Sequence, residues 1–196
     1  MPTTNSLLPG QPAPAFRAQT HDGQDVDLSV YRGKKVLLSF YRYAGCPFCN
    51  ESLKFMLAYE PSMRQSGIQF LAVFESRADR FPKFIGGKKE SPFPLISDPS
   101  RSLYGLYRLE SKTAGFFHPI VIWRFLRALL QGFRQGWPDG RLNQLPAYFL
   151  ISGEGTIEST YYGKHIADTI QPGHVQELIR QSSGSAPAYD WKKWIS

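Results

Sequence analysis

The stretch KKVLLSFYRYAGCPFCNESLKFM, Lys34 to Met56, decides the fold. Its first half, from Val36 to Tyr43, is a continuous run of apolar and β-favouring residues bounded by Gly33 and Gly45, the pattern of a strand buried on both faces. From Pro47 onward Leu53, Met56 and Leu57 recur at helical spacing, which predicts a helix to Tyr59 with Pro61 as its stop. Cys46 and Cys49, the only cysteines of the chain, lie at the junction. The local order is strand, cysteines, helix.

Working outward, Met1 to Ala13 is polar and rich in proline, an extended arm. Ala15–Gln19 and Val26–Leu28 flank Asp22-Gly23, a turn signal that predicts a hairpin. After the cysteines come a second buried strand (IQFLAVFES, Ile68–Ser76), a short helix over Ala78–Ile85, an edge-like strand (FPLIS, Phe93–Ser97) and a helix around Arg101–Leu109. AYFLIS (Ala147–Ser152) and IESTYYG (Ile157–Gly163) form a last pair of strands joined by Gly153-Glu154-Gly155, and a closing helix covers His174–Gln181. Strands alternating with helices and ending in a hairpin predict an α/β fold with a mixed sheet covered on both faces.

With 196 residues, 42% of them hydrophobic and 20% charged, the chain reads as one domain over residues 1–181 with a tail over 182–196. No stretch reaches the ~18 to 20 apolar residues that span a bilayer, and the start lacks the basic, apolar and small-residue succession of a leader, so a soluble cytoplasmic protein is expected. Two closely spaced thiols suit a reducing compartment. Of the formal charge of +7, a net +4 falls between residues 111 and 143, where Lys112, Arg124, Arg127, Arg134 and Arg141 face Asp139 alone. That region is too long for an ordinary loop and reads as an insertion. Arg124, Arg127, Gln131 and Arg134 form one stripe of a predicted basic amphipathic helix, and Ile122, Phe125, Leu126, Leu129, Leu130 and Phe133 form its opposite face. Core packing or a homodimer surface is the ordinary use of such a face, and peripheral membrane contact or partner recruitment is the alternative. No nucleic-acid motif accompanies the charge, so no nucleic-acid partner is expected.

A disulfide closing so short a loop removes little entropy from the unfolded chain, so stapling is a poor use of two cysteines. Chemistry suits them better. At the head of a helix, unpaired N–H groups and the positive dipole end favour a thiolate on Cys46, and Cys49, three residues on, comes within bridging distance. Gly45 and Pro47 suggest an exposed turn, and Arg42 is placed to support the thiolate. The four histidines are scattered, so neither a metal nor another cofactor is expected.

A strand running into Cys-Pro-Phe-Cys at a helix head resembles the thioredoxin superfamily. GQPAPAF, DGQDVDLSVYRGKKVLLSFY, FPLISDPSRSLYGLY and PAYFLISGEGTIESTYYGK together resemble its AhpC/TSA (alkyl hydroperoxide reductase/thiol-specific antioxidant) branch over Pro9 to about Gln181, the basic helix excepted. The resemblance implies a thioredoxin-like fold of peroxiredoxin type with an N-terminal hairpin. Aligned on VLLSFY, Cys49 falls where peroxiredoxins keep the peroxide-attacking cysteine, and Cys46 where they keep a threonine. Arg42 replaces the proline of that motif, and Pro146 replaces an arginine that steadies thiolate and peroxide. Pro146 also matches the place of the thioredoxin cis-proline. The leading expectation is a dithiol/disulfide oxidoreductase in which Cys46 attacks a substrate disulfide, Cys49 resolves it, and Tyr41, Arg42 and Pro146 meet the substrate. The alternatives are a hydroperoxide reductase with Cys49 attacking and Cys46 resolving, and a redox-controlled interaction module. Either enzyme draws electrons from a thiol reductant that the sequence does not name.

Overall fold

The computed structural model describes residues 6–84, 91–111, 119–130, 132 and 136–183. Strands β1 (Arg17–Gln19) and β2 (Asp25–Asp27) form the predicted hairpin. Strands β3 (Lys35–Phe40), β4 (Ile68–Phe74), β5 (Leu95–Ser97), β6 (Ala147–Ile151) and β7 (Ile157–Tyr162) make one mixed sheet in the order β5-β4-β3-β6-β7. β3 is parallel to β4 and antiparallel to β6, and β5 is the predicted edge. Around the sheet lie α1 (Pro47–Gln65), α2 (Phe81–Phe84), α3 (Ser102–Leu106), α4 (Pro119–Leu130) and α5 (Pro172–Ser183).

The period of two along each strand divides the interior into two cores. Leu37, Phe70, Ala72, Phe74 and Tyr148 point to the side of α1 and α5, against Leu53, Met56, Val175 and Ile179. Val36, Leu38, Phe40, Leu71, Val73 and Phe149 point to the other side, against Val26, Leu103 and Tyr104. This is the physical meaning of the unbroken VLLSF run. Because β3 and β4 are parallel, the segments that leave their C-terminal ends run side by side; Glu75 N–H donates to the Arg42 carbonyl at 2.9 Å.

Two expectations need correction. Helix α1 does not stop at Tyr59 but continues through Pro61 to Gln65. The N–H that proline lacks would have met the carbonyl of Leu57, which lies on an exposed part of the helix where water can serve it, while buried Tyr59, Glu60 and Met63 hold the last turns down. The apolar face of the basic helix is also divided. Val121 and Ala128 are buried and Phe125 packs on Phe48, whereas Ile122, Leu126 and Leu130 face outward with Trp123. Core packing therefore uses only part of that face. Lys112, Gln131, Phe133, Arg134, Ile85 and the aromatic tail (Tyr189, Trp191, Trp194) lie outside the described residues, as does the side chain of Leu129. Among the described residues no helix is long and apolar enough to cross a membrane.

Candidate active site

The site grows from the turn between β3 and α1. Cys46 takes extended backbone angles (φ −77°, ψ 121°) as the residue that caps α1, and Pro47 occupies the first helical turn, where its missing N–H breaks no helical bond. The turn is tied down on both sides. Cys46 N–H donates to the Tyr43 carbonyl at 3.0 Å, and the Asn50 side-chain amide donates to the carbonyls of Ala44 and Cys46 at 2.8 and 2.9 Å. Ala44 N–H donates to Ser76 Oγ, whose hydroxyl donates to Asp139, both at 2.7 Å. The β3 turn, the β4 turn and the insertion thus meet at one point.

Both thiols are free. Arg42 Nη1 stands 3.6 Å from Cys46 Sγ. Burial alone pushes the Cys46 thiol up, but the hydrogen bond from Cys49, the Arg42 guanidinium and the N–H groups of Cys49 and Phe48 more than offset it and bring the thiol down to about 6. For Cys49 burial pushes the thiol well up, and its bond to Cys46 and the charge there push it the same way, with Arg42 offsetting only part. The arrangement keeps the proton on Cys49 and the thiolate on Cys46. Arg42 is itself only 3% exposed, lies over the Tyr43 ring, and has an Nε without a hydrogen-bond partner among the described residues.

Exposure of the turn is a further correction. Cys46 is 0% and Cys49 1% exposed. The cover is the insertion: Gly136 N–H donates to the Gly45 carbonyl at 2.8 Å, and Phe125 of α4 meets Phe48 edge-on. Beside the cysteines it leaves a pocket of about 590 Å³ lined by Arg42, Phe48, Val121, Phe125, Trp137 and Ile166, among others. Arg42 reaches this pocket; Tyr41, expected to touch substrate, is withdrawn from it. Its ring stacks on Phe74 and its hydroxyl pairs with Ser52 at 3.2 Å inside the core. Pro146 is buried where β6 begins, next to the end of β3 (Phe40 is opposite Ala147), and its carbonyl accepts from Gly163 N–H at 2.8 Å. No peptide bond among the described residues is cis, so the thioredoxin-like cis-proline is not reproduced.

Sequence reasoning passed over Asn50, Ser76 and Asp139. Asp139 carried a signal, as the lone carboxylate of a basic insertion; the other two are ordinary polar residues whose role depends on three turns converging. Among the described residues no group of three or more His, Cys, Asp or Glu side chains could hold a metal.

The AhpC/TSA family profile matches residues 9–160. A peroxiredoxin-class protein of Mycobacterium tuberculosis is 29% identical over 119 residues, covering 58% of this chain and 75% of its own length. Peroxiredoxin Bcp of Escherichia coli is 28% identical over 94 residues, 48% of this chain and 60% of that protein. Among solved structures, a cysteine-to-serine mutant of Xylella fastidiosa PrxQ superposes with a TM-score of 0.66 at 16% identity, covering 90% of this chain and 96% of that one. The Mycobacterium tuberculosis peroxidoxin BcpB gives 0.64 at 13% identity, covering 91% and 98%. At such identities the structural likeness establishes the peroxiredoxin-type thioredoxin-like fold.

Proposed function

This chain belongs to the AhpC/TSA family of thiol-dependent oxidoreductases, and on that premise we propose that it reduces hydroperoxides with Cys46 as the attacking thiolate and Cys49 as the resolving thiol. The observation that carries the assignment is the buried Arg42 guanidinium 3.6 Å from Cys46 Sγ at the head of α1. A sulfur with that cation and those N–H groups around it is ionised at neutral pH; its neighbour is not. The sealing of the pair supports the choice of substrate. A disulfide-bonded protein must bring its own sulfur into line with the attacking one, which a covered thiolate forbids, whereas a small hydroperoxide can pass by way of the adjoining pocket.

In this reading the Cys46 thiolate attacks the terminal peroxide oxygen. The O–O bond breaks, the departing alkoxide takes a proton from solvent and leaves as the alcohol, and Cys46 becomes a sulfenic acid. The unpartnered Arg42 Nε is available to donate to the peroxide, so that one guanidinium serves both nucleophile and leaving group. Cys49 then gives up its proton and attacks the Cys46 sulfur, hydroxide leaves with that proton as water, and the disulfide closes. Two equivalents of an external thiol return the pair to dithiol and become a disulfide themselves. A reducing cytoplasm would supply them.

Rapid mixing of Cys46→Ser and Cys49→Ser variants with hydrogen peroxide, with mass spectrometry of the thiols, tests the assignment. Cys49→Ser should complete one fast turnover and stop at the Cys46 sulfenic acid; Cys46→Ser should react at least about a hundredfold more slowly. The reverse pattern would give the attack to Cys49. Disulfide exchange remains the second reading because the hydrogen-bonded Cys-Pro-Phe-Cys pair suits it, and faster oxidation of the parent by a protein disulfide than by peroxide would select it.

A further inference from the structure

Helix α4 presents two different apolar surfaces. At 3.6 residues per turn, Val121, Phe125 and Ala128 share the side that meets the domain, while Ile122, Trp123, Leu126 and Leu130 fall within an arc of about 100° on the side that does not. Leu130 is 90% exposed, and the neighbouring strip of the insertion adds Trp137 at 81% and the half-exposed Leu142. Six large apolar side chains in one region of a +7 protein form a patch that a monomer in water rarely leaves bare.

The charges beside the patch narrow what could cover it. Arg127 flanks the exposed arc and lies over the Trp123 ring, Arg80 donates to the Trp137 carbonyl at 3.1 Å, and Arg141 adjoins Leu142. Asp139, the one carboxylate of the insertion, is turned inward to Ser76 and Arg80. A second copy meeting this face about a twofold axis would set arginine against arginine with no carboxylate of the insertion free to pair them. Lipid phosphates answer that charge, lipid chains answer the leucines, and two tryptophans suit the level between them.

We infer that this face of the insertion docks on the surface of an anionic lipid bilayer, lying along it without crossing it. Ile122, Trp137 and Leu142 belong both to the patch and to the lining of the pocket that reaches Arg42, so docking turns the mouth of the pocket toward the apolar side of the interface. The docking itself does not depend on which cysteine attacks, or on peroxide being the substrate.

The test is co-sedimentation of the reduced, full-length protein with vesicles of phosphatidylcholine alone and of phosphatidylcholine mixed with phosphatidylglycerol, at low and high salt. Binding should require phosphatidylglycerol and weaken with salt. Leu126→Glu and Leu130→Glu, exposed positions outside the pocket, should each lower the bound fraction on the order of tenfold, with turnover of hydrogen peroxide in solution unchanged. Arg127→Gln should weaken binding about fivefold. Four results would overturn the inference: no binding to anionic vesicles, equal binding to phosphatidylcholine alone, binding that survives both leucine substitutions, or a solution dimer that Leu130→Glu dissociates. Since the readout is sedimentation, a failed peroxidase assay leaves it standing.

Discussion

Removing the Arg42 charge should raise the Cys46 thiol, because the guanidinium is among the groups that hold it down. At 3.6 Å between Nη1 and Sγ, an effective dielectric constant of about 20 gives an attraction of roughly 4.6 kcal/mol, equivalent to about three powers of ten in the thiol–thiolate equilibrium. Added to the value of about 6, that returns the thiol to about the ordinary 9.0, the Cys49 hydrogen bond and the N–H groups of Cys49 and Phe48 then doing no more than offset burial. In Arg42→Met the thiolate fraction at pH 7 should therefore fall from about nine-tenths to about one part in a hundred, and the single-turnover rate with hydrogen peroxide about 100-fold. Arg42→Lys, which keeps the charge without the planar fork, should recover part of the loss. The assay is stopped-flow mixing of reduced protein with peroxide across pH, beside a direct titration of thiolate absorbance. A deficit caused by protonation disappears above the new pKa, so near pH 10 Arg42→Met should regain that part of the loss and keep only the smaller deficit left by the missing Nε donor. If the variant keeps the parent rate at pH 7, or loses as much at pH 10 as at pH 7, the Arg42–Cys46 attraction does not set the thiolate population.

The parent's own pH profile follows from the same depressed value. Its single-turnover rate should be flat from about pH 7 upward and fall about tenfold by pH 5 as the thiolate is protonated; a plateau reached only near pH 9 would contradict a Cys46 value of about 6. Gly163→Ala probes the packing behind the site, since an added Cβ would come within 2.9 Å of the Pro146 carbonyl oxygen and of its ring. A loss of about 1–3 kcal/mol in urea unfolding is expected, and an unchanged midpoint would mean that β6 and β7 yield there without cost.

What could be read from the sequence was what depends on near neighbours. VLLSF declares its burial because both of its faces need apolar residues, Asp22-Gly23 declares a turn, and Cys46 with Pro47 declares a helix start. Exposure of Cys46 could not be read in the same way: the residues that seal it, Phe125 and Gly136, lie some eighty to ninety positions further on and arrive only when the insertion folds back. Pro61 misled because the rule that proline ends a helix assumes that the lost bond matters, and here the freed carbonyl faces water while Tyr59 and Met63 anchor the turn. Periodicity likewise showed that α4 has a broad apolar face, but not that only half of it would find a neighbour.

The departures from the family pattern at positions 42, 46 and 146 form one rearrangement. The resemblance sets a threonine where this chain has Cys46, a proline where it has Arg42, and an arginine where it has Pro146. A peroxide-reducing site needs an ionised sulfur, and a buried sulfur stays ionised only with a cation close by. With the cation at 146, entering from β6, the family's sulfur at 49 is the natural thiolate. Here the guanidinium enters from the end of β3, one strand over, and reaches the residue that caps α1. Measured against that resemblance, both the cation and the sulfur it faces differ in this chain. Without Arg42, the hydrogen bond from Cys49 and the helix-head N–H groups would have only burial to offset and little to spare; without Cys46, a buried guanidinium would face a threonine hydroxyl that cannot neutralise it. Each difference alone is costly and the two together are consistent, since Arg42 and the helix-head N–H groups push the Cys46 thiol down while burial and the neighbouring charge push the Cys49 thiol up.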